Sequence, residues 1–232
     1  LLSTIGEVGS LYGVAFSRQA QQVFTSAVLR RHAAFGPLGP GGIYLVDPFS
    51  AAADKTTDWL NLDAIGIWTY NHAGSYPPNP GNNTSPNGQN GFVGTAAQRG
   101  LGANNHDPST DYAAGDQVGK VSIGDIDISD DGRYLYITNL YDRKIYEIDL
   151  VNPSNPQAPT AGNMATRVRS WDAPDPGTTV AQGEQRPWGL KYYRGKLYVG
   201  IVLSGQDMSG NVVSPVIDVN GQKVGTELRG YV

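Results

Sequence analysis

Apolar and polar positions alternate most regularly in the middle of the chain. In Gly124-Asp125-Ile126-Asp127-Ile128 and Tyr134-Leu135-Tyr136-Ile137-Thr138 every second residue is aliphatic, a period of two that sends alternate side chains to opposite faces of a strand. Between them, Ser129-Asp130-Asp131-Gly132 supplies the positive-φ position of a tight turn, so the pair predicts a hairpin. Asn139 to Arg143 reads as the next turn and Lys144 to Leu150 as the next strand. Three short strands in roughly 27 residues have the spacing of an antiparallel meander.

Two further stretches repeat this design. Tyr12–Ser17, Gln22–Ala27 and Gly42–Asp47 match the three strands in order, with a long loop between the last two. Trp188–Tyr193 leads through Arg194-Gly195 into Leu197–Val202, with Val212–Asp218 as the candidate third strand. Thr57–Leu62 and Thr166–Trp171 are placed to close the first two units as fourth strands. Four antiparallel strands per unit, arranged radially, define a propeller blade.

The expected fold is therefore all-β. It consists of β-propeller-like blades of antiparallel four-stranded meanders, incomplete, with about three recognisable blades and long loop insertions. The 232 residues are read as one segment: a first blade over about 10–62, an insertion over about 63–118, a second blade over about 119–171 and a third over about 185–220. Residues 227–232 read as the start of a further strand. Almost no helix is expected, because stretches of helix formers free of Gly and Pro are short. Three blades cannot close a ring that needs about four, so more chain or a neighbouring subunit is expected to complete the sheets.

Composition agrees with this reading. Thirty Gly and fifteen Pro mark a turn-dense chain, and thirteen Tyr with four Trp suit pleated surfaces. The net charge of −4 is spread without runs, so neither nucleic acid nor an anionic membrane surface is an expected partner. No apolar run approaches the roughly 18 residues that span a bilayer, and membrane insertion is not expected. The absence of cysteine removes disulfides, thiolate nucleophiles and Cys-ligated metals. The core of the insertion, Tyr76 to Gly88, consists of turn and coil residues and predicts a surface excursion; Asn82 and Asn83 each begin a glycosylation sequon there.

Several residues bear on chemistry. Arg30, Arg31 and His32 are consecutive in a loop and form a candidate cationic site for a carboxylate, sulfate or sugar acid. Arg186 and Trp188 offer a stacking platform for a sugar or aromatic group, although such a tryptophan more often packs in the core. His106, Asp107, Asp111 and Asp116 gather oxygen and imidazole ligands in one loop, and Asp125 with Asp127 pairs two carboxylates on one strand. Calcium is the ion that these groups would take; the spacing is not that of an EF-hand, and no other cofactor is implied. Each group also has a structural reading, as Asx turns, backbone caps or partners of Arg. Asn139 and Asp142 carry the same two readings. Nucleophile elbow, His-Glu-x-x-His, phosphate-binding loop and dinucleotide fingerprint are all absent.

One resemblance is specific as a set. Leu29 to Pro37 leading to Gly41-Gly42-Ile43-Tyr44, Val118 to Ser129, Asn139 to Arg143, and Arg186 to Lys191 with Lys196 to Gly200 together resemble the propeller-type region of large bacterial cell-surface proteins that carry SdrD B-like repeats. The resemblance implies a bacterial, extracellular, multidomain setting and no reaction. Where such relatives often carry cysteines, over the stretch matching Val202 to Ser209, this chain has none.

The expected function is a non-enzymatic structural or binding module at the cell surface, part of an adhesin, sheath, surface layer or filament. Its expected partners are other domains of the same polypeptide, neighbouring subunits and glycans. The alternative is a calcium-dependent propeller hydrolase of the lactonase or phosphodiesterase type, in which Asp125, Asp127, Asn139 and His106 would converge on one point.

Overall fold

The computed structural model describes residues 2–72, 95–102, 109, 111–175, 184–205, 215–217, 219–221, 223–226 and 229–232. It is built mostly of β-strands, as the period-two pattern predicts. After a single helical turn, α1 (Ile5–Val8), β1 (Leu11–Ser17), β2 (Gln22–Ala27), β3 (Gly42–Val46) and β4 (Thr56–Asn61) form a four-stranded antiparallel sheet in sequence order. Past the short helix α2 (Tyr112–Gln117), a second sheet of the same order is formed. It comprises β5 (Ile123–Ile128), β6 (Tyr134–Asn139), β7 (Lys144–Asp149) and, after the turn α3 (Met164–Arg167), β8 (Val168–Asp172).

The third sheet begins as expected and then departs from expectation. β9 (Gln185–Tyr193) and β10 (Lys196–Leu203) form a hairpin through Arg194 and Gly195, whose positive φ of 50° and 76° match the tight turn the sequence predicts. Only Pro215–Ile217 of the expected third strand, Val212–Asp218, is described, and that part does not pair with β10. This part, β11 (Pro215–Ile217), pairs with β12 (Lys223–Thr226) in a separate hairpin. The place beside β10 is taken by β13 (Arg229–Tyr231), which lies within the stretch 227–232 read as a further strand. A hairpin has been inserted between the second and third strands, and strand pattern alone cannot say which segment reaches the free edge of β10.

Alternation along the strands builds two layers. Phe24, Ile43, Leu45 and Leu60 of the first sheet meet Ile126, Leu135, Ile137 and Ile148 of the second in the main core. The opposite face of the second sheet, with Tyr136 and Ile145, packs on Leu190, and Tyr192 stacks on Tyr136 at 5.3 Å between ring centres. The main core also takes Leu62, Ile65 and Ile67. The insertion therefore starts as core; Tyr76 to Gly88, with Asn82 and Asn83, where the surface excursion is expected, lie outside the described residues.

β1, β5 and β9 stand side by side, and glycine sets how closely. A methyl group at Gly13 would lie 2.8 Å from the Ile126 backbone nitrogen, and one at Gly124 would lie 3.0 Å from the Pro187 and Trp188 carbonyl oxygens. Ser122, just before β5, adds a polar tie. It is fully buried at a positive φ of 74°, with its hydroxyl 2.8 Å from the Ala27 carbonyl and 3.0 Å from that of Pro40. Its N–H donates to the Thr69 carbonyl at 2.7 Å. The other face of β1 is uncovered, with Val14 61% exposed and Tyr12 and Phe16 about half exposed.

This division of faces makes a direct prediction for stability. Ile137→Ala, in the main core, is expected to cost about 2–5 kcal/mol, and Val14→Ala less than about 0.5 kcal/mol. Denaturant midpoints of the two variants measure the contrast, and equal shifts would refute the assignment of the two faces.

Candidate functional site

β9 carries N–H groups at Leu190 and Tyr192 that point away from its partner β10, and β5 meets them with carboxylates. Asp125 accepts from the Leu190 N–H at 3.0 Å and from the Ile126 N–H at 2.9 Å. Asp127 accepts from the Tyr192 N–H at 2.6 Å and from the Lys191 ammonium at 2.9 Å. The period of two that the sequence shows at these positions puts both carboxylates on the face toward β9. Side-chain oxygens thus do what carbonyls do inside a sheet, satisfying donors of a strand edge.

Burial pushes the Asp125 carboxyl above its ordinary value of 3.8. The N–H bonds from Leu190 and Ile126 oppose the rise, the nearby Asp127 charge adds to it, and Lys191 opposes it more weakly. A raised carboxyl binds its proton more tightly in the folded state. Its contribution is therefore full below the unfolded value and is lost as pH rises through the folded one. Asn139 and Asp142 are also engaged. Asn139 donates to the Trp68 carbonyl at 2.9 Å and accepts from the Tyr141 N–H at 3.0 Å. Asp142 accepts from the Tyr146 hydroxyl and from the Lys144 N–H, while burial raises its carboxyl.

The loop cations do not converge on one empty point. Arg30 donates to the Leu11 carbonyl at 3.1 Å, and Arg31 is exposed. His32 sits at a positive φ of 62° with its N–H on Asp111 at 2.5 Å and its ring on the Ser109 hydroxyl. Asp111 is fully buried, and its main partner is Arg99, which binds it through Nε at 2.9 Å and through the Nη2 nitrogen at 2.8 Å. The same guanidinium donates to the Arg30 and Ala33 carbonyls at 2.9 and 3.0 Å and lies over the Phe35 ring. One ion pair thereby pins the described end of the insertion to the loop after β2.

Arg186 is likewise a tie. It donates to the Leu140 carbonyl at 2.6 Å and pairs with Glu184; burial pushes its guanidinium down to about 10, which Glu184 opposes and Arg143 reinforces. Trp188 is half-buried, edge-on to Tyr12 at 5.5 Å between ring centres, joining β9 to β1.

Of the candidate metal ligands, His106, Asp107 and the side chain of Asp116 lie outside the described residues. Asp111 is taken up by Arg99, whereas Asp125 and Asp127 serve β9. Among the described residues no group of three or more His, Asp or Glu side chains is placed to hold a metal ion.

Reading by sequence missed two clusters. Arg99 carries no local pattern that announces its burial. Asp63, Thr69 and His72 form the other: Asp63 accepts from the Thr69 N–H at 2.8 Å, its hydroxyl at 2.6 Å and the His72 ring at 2.9 Å. The His72 ring lies 4.0 Å from the centres of both Trp68 and Tyr70. The spacing of the aromatic residues Trp68, Tyr70 and His72 is the available signal, although the segment is bend and turn and not a strand.

No protein-family model matches the chain, and no solved structure matches it. Among curated proteins it is similar to Colossin-D of Dictyostelium discoideum, with 25% identity over 222 residues that cover 95% of this chain and 19% of that protein. The chain thus spans about a fifth of the length of the curated relative it matches.

The buried charges make two outcomes testable. Asp125→Asn keeps an oxygen for the Leu190 N–H and bears no charge, so its stability relative to the natural protein is expected to improve as pH rises from about 4 to about 7. Denaturation at the two ends of that range measures it, and a constant or opposite difference would count against buried Asp125. Arg99→Ala strands Asp111 without its counterion and is expected to cost about 3–5 kcal/mol. Adding Asp111→Asn should recover part of that loss; a double variant no better than the single one would contradict the coupling.

Proposed function

We propose that the chain is a propeller-type segment of a larger extracellular or cell-surface protein, acting as a structural or binding module without catalysis. One observation carries this reading. The paired carboxylates of β5, the residues best suited to acid–base or metal chemistry, are engaged with the Leu190 and Tyr192 N–H groups. Asn139, which the hydrolase reading also needs, is held by Trp68 and Tyr141. The two carboxylates join the second sheet to the third, and Asn139 ties β6 to the loop at Trp68.

The architecture supports the propeller-type part. Two sheets repeat the same β-meander order, a third begins in the same way, and the first strand of each lies beside the first strand of the next. Glycine at Gly13 and Gly124 permits that approach. The long-polypeptide part draws on the likeness of nearly the whole chain to a fifth of Colossin-D, and on the resemblance to surface proteins with SdrD B-like repeats. Among the described residues no helix is long and apolar enough to cross a membrane. The partners proposed are adjoining domains, neighbouring subunits and glycans.

Two measurements test the reading. Antibody raised against the chain should label intact cells of the native source and detect a polypeptide well above 24.7 kDa. Labelling only after permeabilisation would overturn the surface assignment. Lactone and phosphodiester substrates should show no calcium-dependent turnover; turnover abolished by Asp125→Asn in a folded variant would establish the hydrolase instead.

A further inference from the structure

The first turns of two sheets and the end of β9 enclose a cavity of about 460 Å³, within the size range of small-molecule sites. Its apolar side is Val14 and Phe16 of β1 with Tyr192 of β9, and its polar side includes Arg18, Gln19, Ser129 and Asp130. Lys191 and Asp127 also line it.

The charges here divide into a pair that is satisfied and a pair that is not. Lys191 is matched by Asp127 at 2.9 Å. Arg18 and Asp130 both face the cavity, yet neither makes an ion pair or hydrogen bond with any described residue. The walls that carry them are set by the backbone. Ser17 caps the turn before Arg18, its hydroxyl accepting from the Ala20 N–H at 3.2 Å. Ser129 braces the turn at Asp130 by donating to Asp131 at 2.6 Å and accepting from the Tyr134 N–H at 2.9 Å. Gln19 lies directly over Gly132, where a methyl group would come within 2.4 Å of its side-chain oxygen. A guanidinium and a carboxylate are thus held on separate fixed turns around one space.

We infer that this cavity binds a uronic-acid saccharide, its carboxylate on Arg18 and its hydroxyls on Asp130, Ser129 and Gln19, with a ring face against Phe16. The guanidinium fork suits a carboxylate. The acceptors of the same polar side, on the turns at Gln19 and at Ser129-Asp130, call for donors spread in space, which a polyhydroxylated ring supplies and the three N–H groups of one ammonium, all on a single atom, do not. Phe16, half exposed in the free protein, gains a partner for its ring. The inference deepens the binding-module reading by naming the glycan class, and rests on it.

Calorimetric titration of the 232-residue chain with digalacturonate tests it, with methyl galactoside and leucine as comparison probes. Saturable binding of digalacturonate is expected, with little binding of either comparison probe. Arg18→Gln should weaken it at least about tenfold, as loss of a charge-assisted contact does. Asp130→Asn should weaken it severalfold, and Arg169→Gln, on β8 and outside the cavity lining, should leave it unchanged; melting curves verify that each variant is folded. No saturable binding, equal binding of methyl galactoside or leucine, or undiminished binding by folded Arg18→Gln would each overturn the inference. Such a failure without calcium-dependent turnover leaves the module reading standing, whereas turnover removes the module reading itself.

Discussion

The near contact of the first strands of successive sheets is the constraint on which the remaining structure depends. Backbones can approach this closely only where a Cβ is missing, and Gly13 and Gly124 stand at those two points, one facing β5 and the other facing β9. With the inner strands held together, the aliphatic faces of the first two sheets meet across the main core, and the aromatic face of the second meets the third. The hydrophobic layers supply most of the stabilising free energy, because they remove the largest apolar area from water. The glycines determine the geometry in which that burial can happen.

Polar groups are placed by the same arrangement. β1, β5 and β9 belong to separate sheets and share no ladder of backbone hydrogen bonds, so donors at their edges need other acceptors. Asp125 and Asp127 supply them to β9, the Ser122 hydroxyl reaches carbonyls of the first sheet and its loop, and Arg186 reaches the turn after β6. Arg99 serves the loop after β2 in the same manner, with Asp111 as its counterion. Charged residues in this protein mostly connect one element to another. Arg18 and Asp130 depart from that pattern, which is what makes the space between them a candidate for a ligand and not for a structural tie.

Local pattern is a good guide wherever one strand leads to another through a short turn. The Asp131-Gly132 and Arg194-Gly195 turns and the alternation in β5 to β7 are all legible, as are fourth strands within a residue or two of β4 and β8. The hairpin inserted before β13 is not, since several short segments with similar strand character compete for the edge of β10 and pairing alone decides among them. Ile65 and Ile67 fall within the stretch read as an insertion between blades; their burial depends on the second sheet being present to cover them. The pairing of carboxylates at Asp125 and Asp127 is visible in the alternation of β5, while their use is not, because the donors they serve lie about 65 residues further along the chain.

By itself, then, the amino-acid sequence determined the strands, their turns, the side of each strand that is apolar, and the absence of thiol chemistry, all of which are properties of residues within a few positions of one another. The tertiary structure alone decided which sheet edge each strand joins, which charges are matched, and which stay unmatched around a cavity. Those outcomes depend on distances between segments remote in sequence, and a side chain's role as ligand, tie or surface group is set by the partners that folding brings within hydrogen-bond reach.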